Sequence, residues 1–504
     1  MPTRILTLFD TTLKTAFLRK WGAAVFLTLL AALQFACLPG RYLGFEQDDI
    51  MYALAARSLL TGRYALGILP GDPILTSMTP GWPFLLMPAA VVSGDSPVGY
   101  QVWSWGWLVL CDILFFRWLS RRFSPAAAAA GTALFALNPL VLSRSGVVMS
   151  EVPFLACLLA LLLILESKRG LKGWESGLSL GFTWLIRPGA LPLFPAVLAY
   201  YLCKGKVRRA AQCAAVSAAV LLSWKFFVHF HGAQVAEMTE LAMTLPGRSA
   251  SGWFATALWN LSHALTLWGR TLLPWAAQAN STTALGVGFA LAAVSAAGFL
   301  PKLRKKGFEA AAAYLAGGAI LHAIWPWWFE RYLLSFLPFL IWGGMVFCKR
   351  WMPEKRMAAL LWFLALLPLP VQGRSLVFDN DDRSKPQLAR TYAWIRERTT
   401  PNLLWTSAFY ARDAFYTGRP FRPVPVETAG SAPEDFASQL RKSRISYVLW
   451  QEMPDLGSSL GEHFMWSRRL RDFEKALETS NLTAEFTNLS EGSVVYRVPG
   501  SLPY

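Results

Sequence analysis

The sequence predicts a polytopic α-helical membrane protein of about 11 spans with a small C-terminal α/β domain outside the membrane. Three observations predict it. Apolar runs near span length recur from residue 21 to residue 371, and about 20 mostly apolar residues cross a bilayer. Lys and Arg gather in short connections on alternate sides of those runs, the bias of cytoplasmic loops. Beyond residue 371 the composition turns polar and short strand and helix signals alternate. Length alone would suggest roughly three soluble domains, but 54% hydrophobic residues overrule it.

In chain order the spans are 21–38, 99–119, 125–142, 152–167, 174–187, 189–203, 210–228, 284–300, 308–325, 332–348 and 357–371. The first run has no small-residue cleavage site after it and is expected to be retained. Residues 174–203 are interrupted at Arg187-Pro188. Two spans fit better than one kinked span, because Lys168, Arg169 and Lys172 then lie on the same side as Lys204, Lys206, Arg208 and Arg209. The odd count puts the N-terminus in the cytoplasm and the C-terminus outside.

Three outer segments are large. Residues 39–98 hold FEQDDIMYALAARSLLTGRY and a Pro/Gly-rich stretch, whose apolar part, 82–92, is too short to span and reads as interfacial or re-entrant. Residues 229–283 are rich in Trp (253, 259, 268, 275), as expected at a membrane interface. The third is the tail, 372–504. There, Ser384–Thr399 reads as a helix with Ser384 and Gln387 spaced as a capping box. Leu403–Ser407 reads as a strand, Pro433–Lys442 as a helix with Pro in its first turn, Ile445–Trp450 as a strand and Arg468–Glu478 as a helix. Thr483–Thr487 and Ser493–Val498 read as a hairpin across NLSEG. The tail is long enough to bury its own core.

The net charge of +17 raises nucleic-acid binding, but no basic groove or nucleic-acid motif accompanies it, so none is expected. Cys37, Cys111, Cys157, Cys203, Cys213 and Cys348 make no CxxC pattern or disulfide framework. Neither phosphate-loop, dinucleotide, nucleophile-elbow nor HExxH motifs occur.

The chemistry sits elsewhere. Glu46, Asp48 and Asp49 cluster at a membrane surface in a chain poor in acids, and carboxylates beside a bilayer are costly enough to suggest a site. Asp48 stands where a helix N-cap belongs, so a plain cap is the competing account. A helix N-terminus also keeps a carboxylate ionised, fit to take a proton or hold a divalent cation. Glu151, in NPLVLSRSGVVMSEVPF, falls on the same side by topology; the alternative is an acid simply facing water. Arg331, in HAIWPWWFERYLLSFLP, can grip a phosphate with two donors, or pair with Glu330 or snorkel. Arg187 in LIRPG and Arg144 in LSRSG are further basic candidates. His229 and His231 form an HxH pair, but two ligands are not a metal site. Asn260, Asn280, Asn481 and Asn488 head N-x-S/T sequons on the expected outer side, relevant only in a glycosylating host.

These segments together resemble the GT-C-fold glycosyltransferases, which include the protein O-mannosyltransferases and the bacterial lipid A aminoarabinose transferases. FEQDDIMYALAARSLLTGRY resembles their acidic pair followed by Tyr, TPGWPFLLMP their PPG-x-P segment, NPLVLSRSGVVMSEVPF their next motif, LIRPGALPL their Arg-Pro step, and FERYLLSFLP their Arg-Tyr segment. The five occur in family order over residues 40–345. TPGWP departs from the family's double-Pro start, which leaves acceptor contacts open. The resemblance implies a GT-C-like catalytic domain over 1–371 and a variable outer domain over 372–504. It implies a polyprenyl-phosphate sugar as donor and a lipid, glycan or protein acceptor, at a bacterial inner or plasma membrane. The catalytic acid carries over to Asp48 or Asp49, Asp48 being preferred, the second acid to Glu151, and the phosphate-side base to Arg331. Glu46, Tyr52 and Tyr332 lie within the same motifs. The family includes metal-using and metal-independent members, so a cation on Asp48 and Asp49 stays open. A transporter or flippase of lipid-linked sugars is the alternative; it predicts paired broken helices at mid-membrane, and no internal repeat is visible. A structural protein whose tail binds envelope partners is the third.

Overall fold

The computed structural model describes residues 21–38, 43–44, 48–68, 72, 74–94, 96–167, 170–231, 250–272, 281–305, 307–325, 330–370, 388–424, 433–451, 473–478, 480 and 482–500. The helices in chain order are α1 Trp21–Ala36, α2 Asp48–Leu60, α3 Gly81–Ser93, α4 Pro97–Ser120, α5 Pro125–Ala136, α6 Pro139–Leu142, α7 Glu151–Leu165, α8 Gly173–Ile186, α9 Leu193–Cys203, α10 Val207–Phe230, α11 Ala250–Leu272, α12 Ser281–Phe299, α13 Ala310–Ile324, α14 Leu337–Cys348, α15 Glu354–Leu366, α16 Ala389–Arg398, α17 Tyr410–Thr417 and α18 Pro433–Lys442. A further helical turn covers 473–478. The strands are β1 Trp405–Ser407, β2 Phe421–Pro423, β3 Tyr447–Gln451, β4 Thr483–Asn488 and β5 Ser493–Arg497.

The chain divides into two compact units. The first comprises residues 1–39, 76–82 and 100–381, and the second residues 40–75, 83–99 and 382–504.

The first unit is a helical bundle. Among the described residues three helices, α4, α10 and the stretch Ser281–Leu303, are long and apolar enough to cross a bilayer; other apolar helices are shorter. Apolar side chains such as Phe226, Phe289 and Phe363 point outward, as on a lipid-facing surface. The described basic connections near 121–122, 204–209, 302–305 and 349–356 lie between or at the ends of helices, where the charge pattern predicts turns. Arg122 pairs with Glu166 and, at 3.4 Å, with Glu309. Lys302 reaches Glu309 at 2.8 Å, and Lys349 reaches Glu354 at 2.7 Å. Glu354 accepts the Ser124 N–H at 2.6 Å, and the Lys349 ammonium donates to the Arg122 carbonyl at 3.1 Å. The turns near 122, 166, 302–309 and 349–354 therefore meet at one end, the basic end. Residues 137–150, 186–192, 325 and 330–336 lie at the opposite ends of their helices.

Close backbone approach sets much of the packing. Gly173, Gly177 and Gly181 of α8 face Arg209, Cys213 and Val220 of α10 in parallel register. A Cβ on Gly177 would lie 2.6 Å from the Cys213 carbonyl oxygen, so only glycine fits there. Small residues four apart are the usual device for tight helix contact in membranes. The expected break between spans at Arg187-Pro188 is present: α8 ends at Ile186, Arg187 is extended (φ −154°, ψ 123°) and Pro188–Ala190 form a 3₁₀ turn. The residue before proline disfavours the α region, which ends the helix there. The expected span 125–142 is split at Asn138, whose side chain caps α6 through the Leu140 N–H (3.0 Å).

The Trp-rich segment expected as an outer loop instead contains the 23-residue helix α11. It packs on α12 through Gly269 against Ala284 and Gly288 against Leu265. Asn260 lies inside this helix, 1% exposed, and its amide donates to the carbonyls of His322, Ala323 and Trp325 at 3.1, 3.0 and 2.7 Å. Those are carbonyls that the end of α13 leaves without helical partners. The sequon at Asn260 is thus a buried helix cap rather than an outer acceptor; Asn280 and Asn481 lie outside the described residues.

The second unit holds the α/β fold. Its five strands run in the order β2-β1-β3-β5-β4, with β1 parallel to β2 and β3, and β5 antiparallel to β3 and β4. Alternation along β3 divides two cores. Tyr447 and Leu449 join Tyr392, Ile395, Trp405 and Phe421 on one face, and Val448 joins Phe436, Leu440 and Phe473 on the other, the two-residue period of a sheet covered on both sides. The expected strands near 403–407 and 445–450, the helix 433–442 and the closing hairpin are present. The expected helix 384–399 is described only from Ala389; Ser384 and Gln387 lie outside the described residues. Helix α17 and strand β2 were not expected.

Candidate active site

Four of the five family-like motifs converge at the end of the first unit opposite the basic end. Gly81 of TPGW lies against the backbone of Leu185 and Ile186, where a Cβ would approach to 2.5 Å. The Trp82 indole N–H donates to the Val148 carbonyl at 3.4 Å. α7 opens on Glu151, 2% exposed, at a helix N-terminus that favours a carboxylate. Arg187, set by the extended step before Pro188, places Nη1 2.9 Å from Glu151 Oε1 and 3.0 Å from Ser150 Oγ. The 3₁₀ turn Glu330–Ser335 brings the Nε of Arg331 to 3.2 Å from the same Glu151 oxygen. Glu330 itself is exposed.

Two guanidinium groups thus close on one carboxylate, with side chains 17% and 12% exposed for Arg187 and Arg331 and 3% for Glu151. The trio carries a formal charge of +1 at half-buried donors that are forked and planar, the geometry that suits phosphate oxygens. Arg187 also lies over the Tyr332 ring, 5.1 Å from its centroid, and His322 packs edge-on to that ring at 5.3 Å. Arg144 sits in the connection between α6 and α7, its carbonyl accepting the Val147 N–H. The charged groups shown to meet are those of Glu151, Arg187 and Arg331. Ser150, beside Glu151 in sequence, was missed because a lone serine carries no motif signal.

The acid pair belongs to the second unit. α2 is described from Asp48 onward, which places Asp48 in its first turn. Asp49 is the residue that turns back: it is 2% exposed, and both its oxygens accept the Gly44 N–H at 3.0 Å. Asp48 is partly exposed and Tyr52 partly buried on the same helix; Glu46 lies outside the described residues. The Ile50 N–H also donates to Asp49, at 2.7 Å. Among the described residues no group of three or more His, Cys, Asp or Glu side chains converges as a metal site. His231 hydrogen-bonds the Phe227 carbonyl at 2.7 Å at the end of α10, a helix-end role for a member of the HxH pair.

No family profile matches the sequence, and no curated protein does. Solved structures do. The chain is similar to ArnT from Cupriavidus metallidurans bound to undecaprenyl phosphate, with TM-score 0.58 and 13% identity over 96% of this chain and 99% of that one. It is also similar to the archaeal oligosaccharyltransferase AglB from Archaeoglobus fulgidus in complex with an inhibitory peptide and a dolichol-phosphate, with TM-score 0.52 and 14% identity over 86% of this chain and 69% of that one. A second structure of the Archaeoglobus fulgidus oligosaccharyltransferase, tethered to an acceptor peptide, aligns with TM-score 0.53 and 12% identity over 96% and 74% of the two chains. The likeness is one of fold: the chain has the GT-C fold that its motif order resembles.

Proposed function

We propose that the protein is an integral-membrane glycosyltransferase that moves a sugar from a polyprenyl-phosphate donor to a hydroxyl of a lipid, glycan or protein acceptor. The observation that carries this is the meeting of Glu151, Arg187 and Arg331 at the junction of four ordered motifs. The fold neighbours that bind undecaprenyl phosphate and dolichol-phosphate support the donor class. No observation favours the flippase alternative.

Asp48, the more accessible of the two acids, acts as general base on the acceptor hydroxyl. The acceptor oxygen attacks the anomeric carbon, the proton passes to Asp48, and the bond from that carbon to the phosphate oxygen breaks. Arg331 and Arg187 stabilise the departing polyprenyl phosphate, while Glu151 orients both guanidinium groups. A single displacement inverts the anomeric centre. The basic end is cytoplasmic by its charge, which gives a bacterial plasma-membrane protein with the N-terminus inside and the α/β domain outside. About 11 spans remain the topology proposed from the apolar runs.

The test uses the full chain in lipid discs, a panel of radiolabelled polyprenyl-phosphate sugars, and membrane extract as acceptor, with Asp48→Asn alongside. Label passing to a new product in the wild type and not in the variant is the expected result. Label that stays on the lipid with every donor and extract would end the proposal.

A further inference from the structure

The loop that precedes the acid-bearing helix is held by the C-terminal part of its own unit. The Leu43 N–H donates to the Tyr416 hydroxyl at 2.9 Å, and that hydroxyl donates to the Leu43 carbonyl at 2.9 Å. The next residue, Gly44, has φ +97° and lies on the stem of Arg412: a Cβ there would be 2.5 Å from Arg412 Cγ. Gly44 then donates its N–H to Asp49. A continuous path therefore leads from α17 through Leu43 and Gly44 to the first turn of α2, where Asp48 stands.

The α17 end of that path is rigid. Arg412 and Asp413 are 3% and 1% exposed. Arg412 Nε meets Asp413 at 2.9 Å, and its Nη2 donates to Gln451 on β3 at 2.7 Å. The Phe409 ring stacks on the guanidinium at 4.3 Å. Asp413 also accepts the hydroxyls of Tyr392 (2.6 Å) and Ser407 (2.5 Å). Tyr416 stacks on Tyr392 with ring centroids 5.6 Å apart. A buried polar network in which the members satisfy one another fixes side-chain positions. From α17 the network reaches the Leu43–Gly44 backbone, and Tyr410 of the same helix also meets Met51 of α2 at 3.8 Å.

We propose that Tyr416 and Arg412 are positioning residues for the acid loop: the C-terminal domain sets where Asp48 stands. This rests on the glycosyltransferase reading for its catalytic consequence, but not for the clasp itself. Misplacing a catalytic group by about 1 Å costs about 10²-fold in rate, so loosening the clasp acts on turnover rather than on donor binding.

Tyr416→Phe keeps the ring stacked and removes both hydrogen bonds to Leu43. In the full-length protein in lipid discs, hydrogen exchange at the Leu43 and Gly44 amides is expected to rise by about 10-fold or more, because the opened backbone loses its protection. Turnover is expected to fall about 10-fold or more with KM for the donor within about 2-fold. Gly44→Ala, made from the loop side, must give the same split between kcat and KM. Arg497→Ala, which breaks only the exposed pair with Glu485, should change neither reading. Unchanged exchange in Tyr416→Phe overturns the proposal, and so does faster exchange with wild-type turnover. If the wild type transfers no label, the proposed function fails, and exchange alone decides whether the domain holds the loop.

Discussion

Arg187 Nη1 lies 2.9 Å from Glu151 Oε1, and the pair is only partly open to solvent. Removing one member of a buried ion pair is strongly destabilising, about 3–5 kcal/mol where burial is complete; the 17% exposure of Arg187 lowers that. Glu151→Gln is expected to lower the thermal midpoint and to reduce transfer. The double variant Glu151→Gln with Arg187→Gln should be less unstable than the two single losses added together, with a coupling of about 1 kcal/mol or more. Additive losses in a double-mutant cycle would show that the contact carries no energy.

The two neighbouring acids should separate by phenotype. Asp49→Ala strips the Gly44 N–H of its acceptor, an uncompensated loss of about 1–3 kcal/mol, and so lowers the unfolding midpoint. Asp48→Asn leaves the midpoint alone and removes turnover. Differential scanning on both variants, paired with the transfer assay, would expose the opposite pattern if Asp49 were the base.

The contact of α8 with α10 has no room for a side chain at Gly177. Gly177→Val forces the helices apart and is expected to cost about 1–3 kcal/mol by overpacking. Gly106, which has open space around its position, is the matched control: Gly106→Ala should leave thermal stability near wild type.

Asn260 supplies hydrogen bonds to three carbonyls from a nearly sealed position. Asn260→Leu leaves those acceptors unmet, a loss of about 1–3 kcal/mol. Expression in a glycosylating host should give folded protein whose mass at that peptide is unmodified; a glycan on the folded chain would contradict the burial.

Glu354 precedes the apolar part of its helix, which begins at Met357. The hydrogen bond from Lys349, with those from Ser124, holds its carboxyl down at about 2. Its folded value is depressed, so its stabilisation is present above the ordinary carboxylate range, near 4.3, and is lost as pH falls toward 2. Wild type should lose more midpoint temperature between those limits than Glu354→Gln, the difference being small because the pair is partly solvated. Parallel curves would dismiss the linkage.

Much of the bundle is legible in the sequence because one signal, apolar length bounded by basic residues, dictates both the helices and their ends. The Arg187-Pro188 break is legible for a local reason, since proline restricts the residue before it. Helix α11 is not: its polar His263, Asn260 and Ser262 dilute the apolar run, and what it packs on comes later in the chain. The Gly173, Gly177, Gly181 spacing was present in the sequence but signifies nothing until a partner helix is known. In the α/β part, Tyr447–Gln451 and the hairpin show period-two patterns, whereas β2 is three residues long and bounded by prolines. The partners of Leu43 and Gly44 are the least legible. Tyr416 stands 373 residues from Leu43, and only tertiary structure joins them.

The ion network at the basic end also has an order in time. The ribosome delivers Arg122 and Glu166 early, then Lys302 and Glu309, and finally Lys349 and Glu354. Ser124 therefore waits for its acceptor until the last apolar helix begins to emerge. A chain halted before residue 354 holds its earlier helices without this latch, so the bundle gains its last ion pair only after that helix begins, while the α/β part is still to be made.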